Sequence, residues 1–166
     1  ANDDQRLLIA LISDSGMRLS EACGLLVEDF KLGGNIPYLD LKPHPWRRLK
    51  TKGSARQIPL VGVSLWAARR VVSSPKSSFA FPRYCSAQAV KANSASSALN
   101  KWLNKRVPTG CVVHSFRHSF RDRLRAVECP AEVIDALGGW RTVGVGNLYG
   151  DGFQLDQKWN WIKQLE

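Results

Sequence analysis

The sequence lacks the residue spacing of a metal site. Its four cysteines, at positions 23, 85, 111 and 129, are widely separated, with no CxxC pair and no histidine at the distance that zinc ligands require. We therefore expect small buried thiols in a reducing compartment and no structural metal.

Long apolar runs and targeting signals are also missing. No apolar stretch is long enough to span a bilayer, and residues 1–10 lack the positive, apolar and small-residue order of a signal peptide. The sequence therefore predicts no membrane segment. The missing initiator methionine is consistent with a fragment of a longer chain.

Acidic residues are scarce beside basic ones. Fourteen Asp and Glu against 24 Lys and Arg give a formal net charge of +10. This excess indicates a polyanionic partner, of which nucleic acid is the commonest, although a basic enzyme with another substrate is an alternative. With 166 residues, of which 44% are apolar, the chain has the size of one domain with its own core.

The pattern of apolar residues predicts a mainly α-helical domain with a small antiparallel β-sheet (α+β). Helices are predicted over residues 3–13, 20–29, 62–72, 86–106, 114–127, 130–137 and 153–165. Short strands are predicted over 35–41, 46–50 and 56–60, with an exposed turn between the last two.

The predicted helix that begins at residue 114 concentrates cationic side chains. Four donors spaced i, i+3, i+4 and i+7 share one face: His114, Arg117, His118 and Arg121. A second, apolar stripe can be buried: Phe116, Phe120, Leu124 and Val127. The segment is therefore predicted to be anchored by aromatic residues and to point its donors outward.

Four features of the sequence each have an ordinary structural explanation when taken singly. Arg18 and Glu21 can form a local ion pair at a helix start, and Lys52 can be a solvated turn residue. His114 can cap a helix, and Tyr149 can pack before a glycine-rich turn. Each residue alone therefore leaves the function open.

Taken in order, four stretches resemble the tyrosine recombinase, or phage integrase, family. They are SGMRLSEACGL (15–25), KGSARQIPL (52–60), VVHSFRHSFRDRL (112–124) and LGGWRTVGVGNLYGDG (137–152). The resemblance covers nearly the whole chain, residues 1–166, as the family's C-terminal catalytic domain. It implies that the N-terminal core-binding domain, which completes a clamp around DNA, is absent from this chain.

The resemblance also implies roles for individual residues. Arg18 and Arg117 would hold the scissile phosphate, His114 would assist proton transfer, and the hairpin lysine Lys52 would protonate the leaving oxygen. Tyr149 would be the nucleophile, and Trp140 replaces a second histidine that many members carry. Supporting or DNA-binding roles fall to Glu21, His118, Arg121, Arg123 and Arg125. For the last four, a solvated helix face is the alternative.

The implied function is a site-specific recombinase or integrase that cuts and rejoins DNA through a 3′-phosphotyrosine. It would need no metal or other cofactor, act on double-stranded DNA as a tetramer, and work in the bacterial cytoplasm. A type IB topoisomerase, which relaxes supercoils without exchanging strands, shares this chemistry. A basic DNA-binding module without catalysis is the alternative of another class.

The tail, residues 153–166, has a large apolar surface. It includes Phe153, Leu155, Trp159, Trp161, Ile162 and Leu165. This helix either packs on its own core or, as the family suggests, docks on a neighbouring protomer.

Overall fold

The computed structural model describes residues 3–50, 54–140 and 152–166. Seven α-helices lie in these ranges: α1 (Asp3–Ser13), α2 (Leu19–Cys23), α3 (Gly62–Ser73), α4 (Ala92–Leu103), α5 (Val113–Ala126), α6 (Ala131–Gly138) and α7 (Leu155–Ile162). Short 3₁₀ turns occupy Val27–Asp29 and Lys163–Leu165. The strands are β1 (Phe30–Lys31), β2 (Tyr38–Leu41) and β3 (Arg56–Pro59). The predicted fold class, mainly α with a small antiparallel sheet, is confirmed.

The sheet has the order β1-β2-β3, and both pairings are antiparallel. Leu39 of β2 lies opposite Phe30 on one side and Ile58 on the other. The predicted strand over 46–50 is wrong, and β1 takes its place. His44 and Arg47 instead exchange backbone hydrogen bonds across a tight turn, and the Arg47 side chain points inward, where it is buried.

The helices predicted over 20–29 and 86–106 are shorter in the structure than in the prediction. The second helix ends at Cys23 because Gly24 follows it, and the chain then enters the separate 3₁₀ turn Val27–Asp29. The weakly helical region 86–106 is an α-helix only over Ala92–Leu103. One predicted buried thiol is also wrong: Cys111 is exposed, while Cys23, Cys85 and Cys129 are buried.

Two clusters of buried apolar side chains form the core. The larger one gathers residues from α1, α2, the sheet, α3 and α4, whereas the smaller one lies between α5, α6 and α7. Helix α5 joins them, because Val113 belongs to the larger cluster and Phe120 and Leu124 to the smaller. Ile162 of α7 is fully buried in the smaller cluster, so the tail helix packs on the core of its own chain.

None of the helices in the part of the chain that the structure describes is both long and apolar enough to cross a membrane.

Candidate active site

Arg18 lies at the start of α2, where it is the N-cap residue in an extended backbone conformation. Its backbone N–H donates to the Glu21 carboxylate at 2.9 Å, and its Nη1 donates to Glu21 Oε1 at 2.7 Å. The same carboxylate therefore caps the helix and binds the guanidinium. A five-residue helix is too short to be stable alone, so these contacts help to define where Arg18 points.

Two further acceptors hold the Arg18 guanidinium from other parts of the chain. Nη1 donates to Ser54 Oγ at 3.3 Å, just before β3, and Nη2 donates to the Gly139 carbonyl at 3.2 Å, just after α6. The side chain is 23% exposed. Arg18 is therefore fixed from three directions while part of its side chain faces solvent.

Glu21 is buried and serves two arginines. It binds Arg18 through Oε1, and Oε2 accepts a hydrogen bond from Arg56 Nη2 at 3.2 Å. Burial acts to raise the pKa of Glu21, but the charge of Arg56 and the hydrogen bonds from both arginines hold that pKa below its ordinary value. Glu21 is therefore ionised at neutral pH.

Arg117 is buried on α5, although the helix face was predicted to point outward. It donates to the Gly16 carbonyl, and its guanidinium lies 4.2 Å from the centre of the Trp140 ring. Burial, followed by the positive charges of Arg18 and Arg56, lowers the pKa of Arg117 to about 10. Arg117 therefore stays charged at neutral pH.

Trp140 follows α6 and lies against two arginines of α5. The Arg121 guanidinium is 5.1 Å from its ring centre, and the Trp140 backbone N–H donates to the Asp135 carbonyl at 3.0 Å. A Cβ at Gly138 would come within 1.7 Å of the Trp140 ring, and Gly139 has a φ of 63°. The two glycines thus allow the close approach and the left-handed turn that place the indole beside Arg117.

His114 and His118 occupy the exposed part of the same helix face. Their rings meet edge to face, with 4.8 Å between centres. Partial burial, and then the nearby charges of His118, Arg117 and Arg18, lower the pKa of His114 below its ordinary value. His114 is therefore neutral at pH 7 and has a ring nitrogen able to accept a proton.

The other arginines of α5 have carboxylate partners within the chain. Arg121 lies 3.5 Å from Asp135, Arg123 lies 2.9 Å from Asp14, and Arg125 lies 3.4 Å from Asp122. At least about a third of each of these arginine side chains is nevertheless exposed. Their contacts to DNA phosphates stay a prediction.

Lys52 and Tyr149, the predicted general acid and nucleophile, lie outside the described residues. Within those residues the structure brings together Arg18, Glu21, Arg117, His114 and Trp140. No three His, Cys, Asp or Glu side chains of the described ranges are grouped closely enough to hold a metal ion.

The sequence analysis missed two buried cations beside this site. Arg56 binds Glu21, and Lys158 of α7 donates to the Gln57 carbonyl at 2.5 Å. The sequence pattern indicated that both positions are buried. Arg56 lies two positions before Ile58 on β3 and therefore faces the same buried side of the sheet. Lys158 lies four residues before the buried Ile162 on α7, on the same helix face. A charged residue on a buried face indicates a partner, but sequence alone does not identify that partner.

Known structures share this fold. A Tn1549 transposon integrase in complex with circular intermediate DNA is 19% identical with a TM-score of 0.59, and the match covers 92% of this chain and 55% of that one. An arginine-to-lysine variant with circular intermediate DNA gives 18% and 0.63, covering 99% and 59%. A tyrosine-to-phenylalanine variant with transposon right end DNA gives 19% and 0.62, covering 98% and 59%. The chain thus spans less than two thirds of the length of these structures.

Sequence comparison gives the family. No curated protein sequence matches the chain significantly. The sequence profile of the phage integrase family, however, matches residues 2–153, which carry every residue of the site described above. The chain belongs to the phage integrase family.

Proposed function

We propose that this chain is the catalytic domain of a tyrosine site-specific recombinase that breaks and rejoins DNA strands. The observation that carries the proposal is the convergence of Arg18 and Arg117, from distant parts of the sequence, beside Trp140 and His114. The family and the DNA named in the matched structures support the same function.

The two arginines suit the charge that develops during the reaction. A phosphodiester is already anionic, and its five-coordinate transition state places more negative charge on the non-bridging oxygens. Guanidinium groups match two oxygens at once and keep their charge at working pH. Because Arg18 and Arg117 are already hydrogen-bonded in place, little reorganisation is needed when that charge appears.

The remaining proton transfers fall to the other site residues. The Tyr149 oxygen attacks phosphorus, the bond from phosphorus to the 5′ oxygen breaks, and a 3′-phosphotyrosine and a 5′ hydroxyl result. The neutral His114 accepts or relays the phenol proton, and Lys52 supplies the proton that the leaving oxygen needs. Religation reverses these steps with a 5′ hydroxyl from another strand, so the phosphotyrosine conserves the bond and no nucleotide cofactor is consumed.

The partners in this proposal are double-stranded DNA and further copies of the chain. Strand exchange between two duplexes requires four active sites, hence a tetramer on DNA in the bacterial cytoplasm. The tail helix, which packs on its own core in the single chain, would dock on a neighbouring protomer in that assembly.

Trapping on nicked suicide substrates tests the proposal. The wild-type chain and its Tyr149→Phe variant are incubated with nicked genomic fragments, and the DNA that stays attached to denatured protein is sequenced. We expect attachment through a 3′ phosphate for the wild type and none for the variant. Equal absence from both proteins would contradict catalysis and support a DNA-binding module.

A second assay separates recombination from relaxation. Paired copies of the trapped sequence are placed on a supercoiled plasmid, and the products are resolved by electrophoresis. Recombinant circles support the recombinase. Relaxed circles without recombinants would instead indicate a type IB topoisomerase.

A further inference from the structure

Arg56 is buried beside Arg18 and has no role in the proposed chemistry. Its side chain is 4% exposed, and its guanidinium donates to three segments of the chain. Nε donates to the Leu137 carbonyl at the end of α6 (2.8 Å), Nη1 to the Ser54 carbonyl (2.7 Å), and Nη2 to Glu21 Oε2 on α2 (3.2 Å).

The same three segments supply the acceptors of Arg18 among the described residues. Glu21 binds Arg18 with its other carboxylate oxygen, and Ser54 binds it with its hydroxyl. Gly139 is the third acceptor, and its turn lies directly on Arg56: a Cβ at Gly139 would be 2.6 Å from Arg56 Nη1. Arg56 therefore binds one acceptor of Arg18, the Glu21 carboxylate, directly, and it binds the backbone of the two segments that carry the other acceptors, Ser54 and Gly139.

We propose that Arg56 is a positioning residue for Arg18: without contacting DNA, it fixes the three described segments that carry acceptors of the Arg18 guanidinium, and this inference rests on the proposed function. A planar guanidinium with five N–H donors can serve three diverging acceptors, whereas an ammonium on a flexible stem cannot hold them in one geometry. A displacement of one ångström in a residue that binds the reacting group is enough to slow a reaction about a hundredfold.

The first test is a double-mutant cycle. Single-turnover cleavage is measured with saturating protein on a nicked duplex that carries the sequence recovered by trapping. We expect Arg18→Met to lose about 10²–10³-fold, by analogy with removal of an oxyanion donor, and Arg56→Met to lose at least about tenfold. The double variant should be no slower than Arg18→Met, because Arg56 acts through Arg18.

A second substrate separates positioning from a merely structural role. In a methylphosphonate at the scissile position, a methyl group replaces one non-bridging oxygen and removes the negative charge. The loss of cleavage rate caused by a missing or misplaced Arg18 should be smaller on one stereoisomer of this substrate than on the phosphate, because less negative charge remains to be stabilised. Arg56→Met should recover on the same stereoisomer as Arg18→Met.

Arg47→Met is the matched control. Arg47 is as buried as Arg56 and also contacts α2. It donates to the backbone carbonyls of Glu21 and Lys42, whereas Arg18 binds the Glu21 carboxylate and neither of these carbonyls. Any deficit of Arg47→Met should be equal on both substrates. Arg56→Lys keeps the charge but lacks the planar fork, and it should show a smaller deficit with the same recovery.

Three results would overturn the inference. They are wild-type rates for both Arg56 variants, a deficit that is equal on phosphate and methylphosphonate, and losses that multiply with that of Arg18→Met. If Arg56→Met does not fold, Arg56→Lys decides by the same criteria. A wild-type chain that yields no covalent complex in the trapping experiment overturns the proposed function itself, which is a distinct result.

Discussion

Individual residues at this site are placed by contacts that are far apart in sequence. Glu21 and Arg56 are 35 positions apart, and Arg18 and Gly139 are 121 apart, yet both pairs are hydrogen-bonded. Sequence motifs identified Arg18, Glu21 and Arg117 but not the buried partner Arg56. A motif records which residue types chemistry needs, whereas the groups that orient them depend on tertiary contacts.

His114 should determine the acid limb of the cleavage rate. Because the pKa of His114 is lowered, it is neutral above its ordinary pKa of 6.5 and accepts a proton there. We expect a rate that is constant above about pH 6.5 and falls as the pH drops through the lowered pKa, and a loss of about 10²–10⁴-fold in His114→Ala. Rates of single-turnover cleavage measured between pH 5 and pH 8, the range in which histidine ordinarily titrates, test this pH dependence.

His118→Asn provides the control for that assignment. It removes a neighbouring charge that lowers the pKa of His114, so the acid limb should move toward higher pH. An acid limb that stays in place in both His114→Ala and His118→Asn would assign the proton transfer to another group.

At the scale of elements, helices with strong periodicity were predictable and the sheet was less so. Helix α5 was predicted within one residue at each end, because its apolar stripe recurs with helical spacing. The strand over 46–50 was wrong, because residues 44–47 turn back on themselves. Trp46 there donates to the Gly24 carbonyl, and Arg47 donates to the Glu21 carbonyl. Such long-range contacts override local strand propensity.

The seating of α7 on β3 should depend on pH through Lys158. Burial, and then the charge of Arg56, lowers the pKa of Lys158 from 10.5 to about 8. Between those two values the unfolded chain binds a proton that the folded chain does not, so stability should rise as pH increases from 8 to 10.5. The rise is at most about 3 kcal/mol in the free energy of unfolding.

Denaturant unfolding at several pH values measures that rise. Lys158→Met keeps a long apolar side chain and should abolish this part of the pH dependence. Lys163→Met changes an exposed lysine of the same tail and should keep it. The interpretation would be wrong if wild type and Lys158→Met showed the same slope above pH 8.

For the molecule as a whole, the net charge of +10 predicts a strong dependence of DNA binding on salt. Each phosphate neutralised by a cation changes the slope of log K against log salt by about −0.9. We expect a slope of about −5 or steeper for the wild-type chain, measured by fluorescence anisotropy with a labelled duplex. The same duplex with a non-ionic backbone should show almost no salt dependence. A shallow slope on natural DNA would contradict an electrostatic interface.

The whole-molecule arrangement explains which predictions were possible. Fold class and family follow from periodicity and from motifs spread over the chain. The division of the core into two clusters joined by α5 does not, because it depends on how helices that are distant in sequence pack together. Burial of Arg117 belongs to the same class: only the packed chain brings the Gly16 carbonyl and the Trp140 ring to it.

The distribution of thiols has a practical consequence. Burial raises the pKa of Cys23 to about 12 and that of Cys129 to about 11, and it raises the pKa of Cys85 as well, so these three resist alkylation. Cys111 is exposed, three positions before His114. A maleimide fluorophore would therefore attach selectively to Cys111 without any added cysteine. The change in its emission would report the rate of duplex binding separately from the rate of strand cleavage.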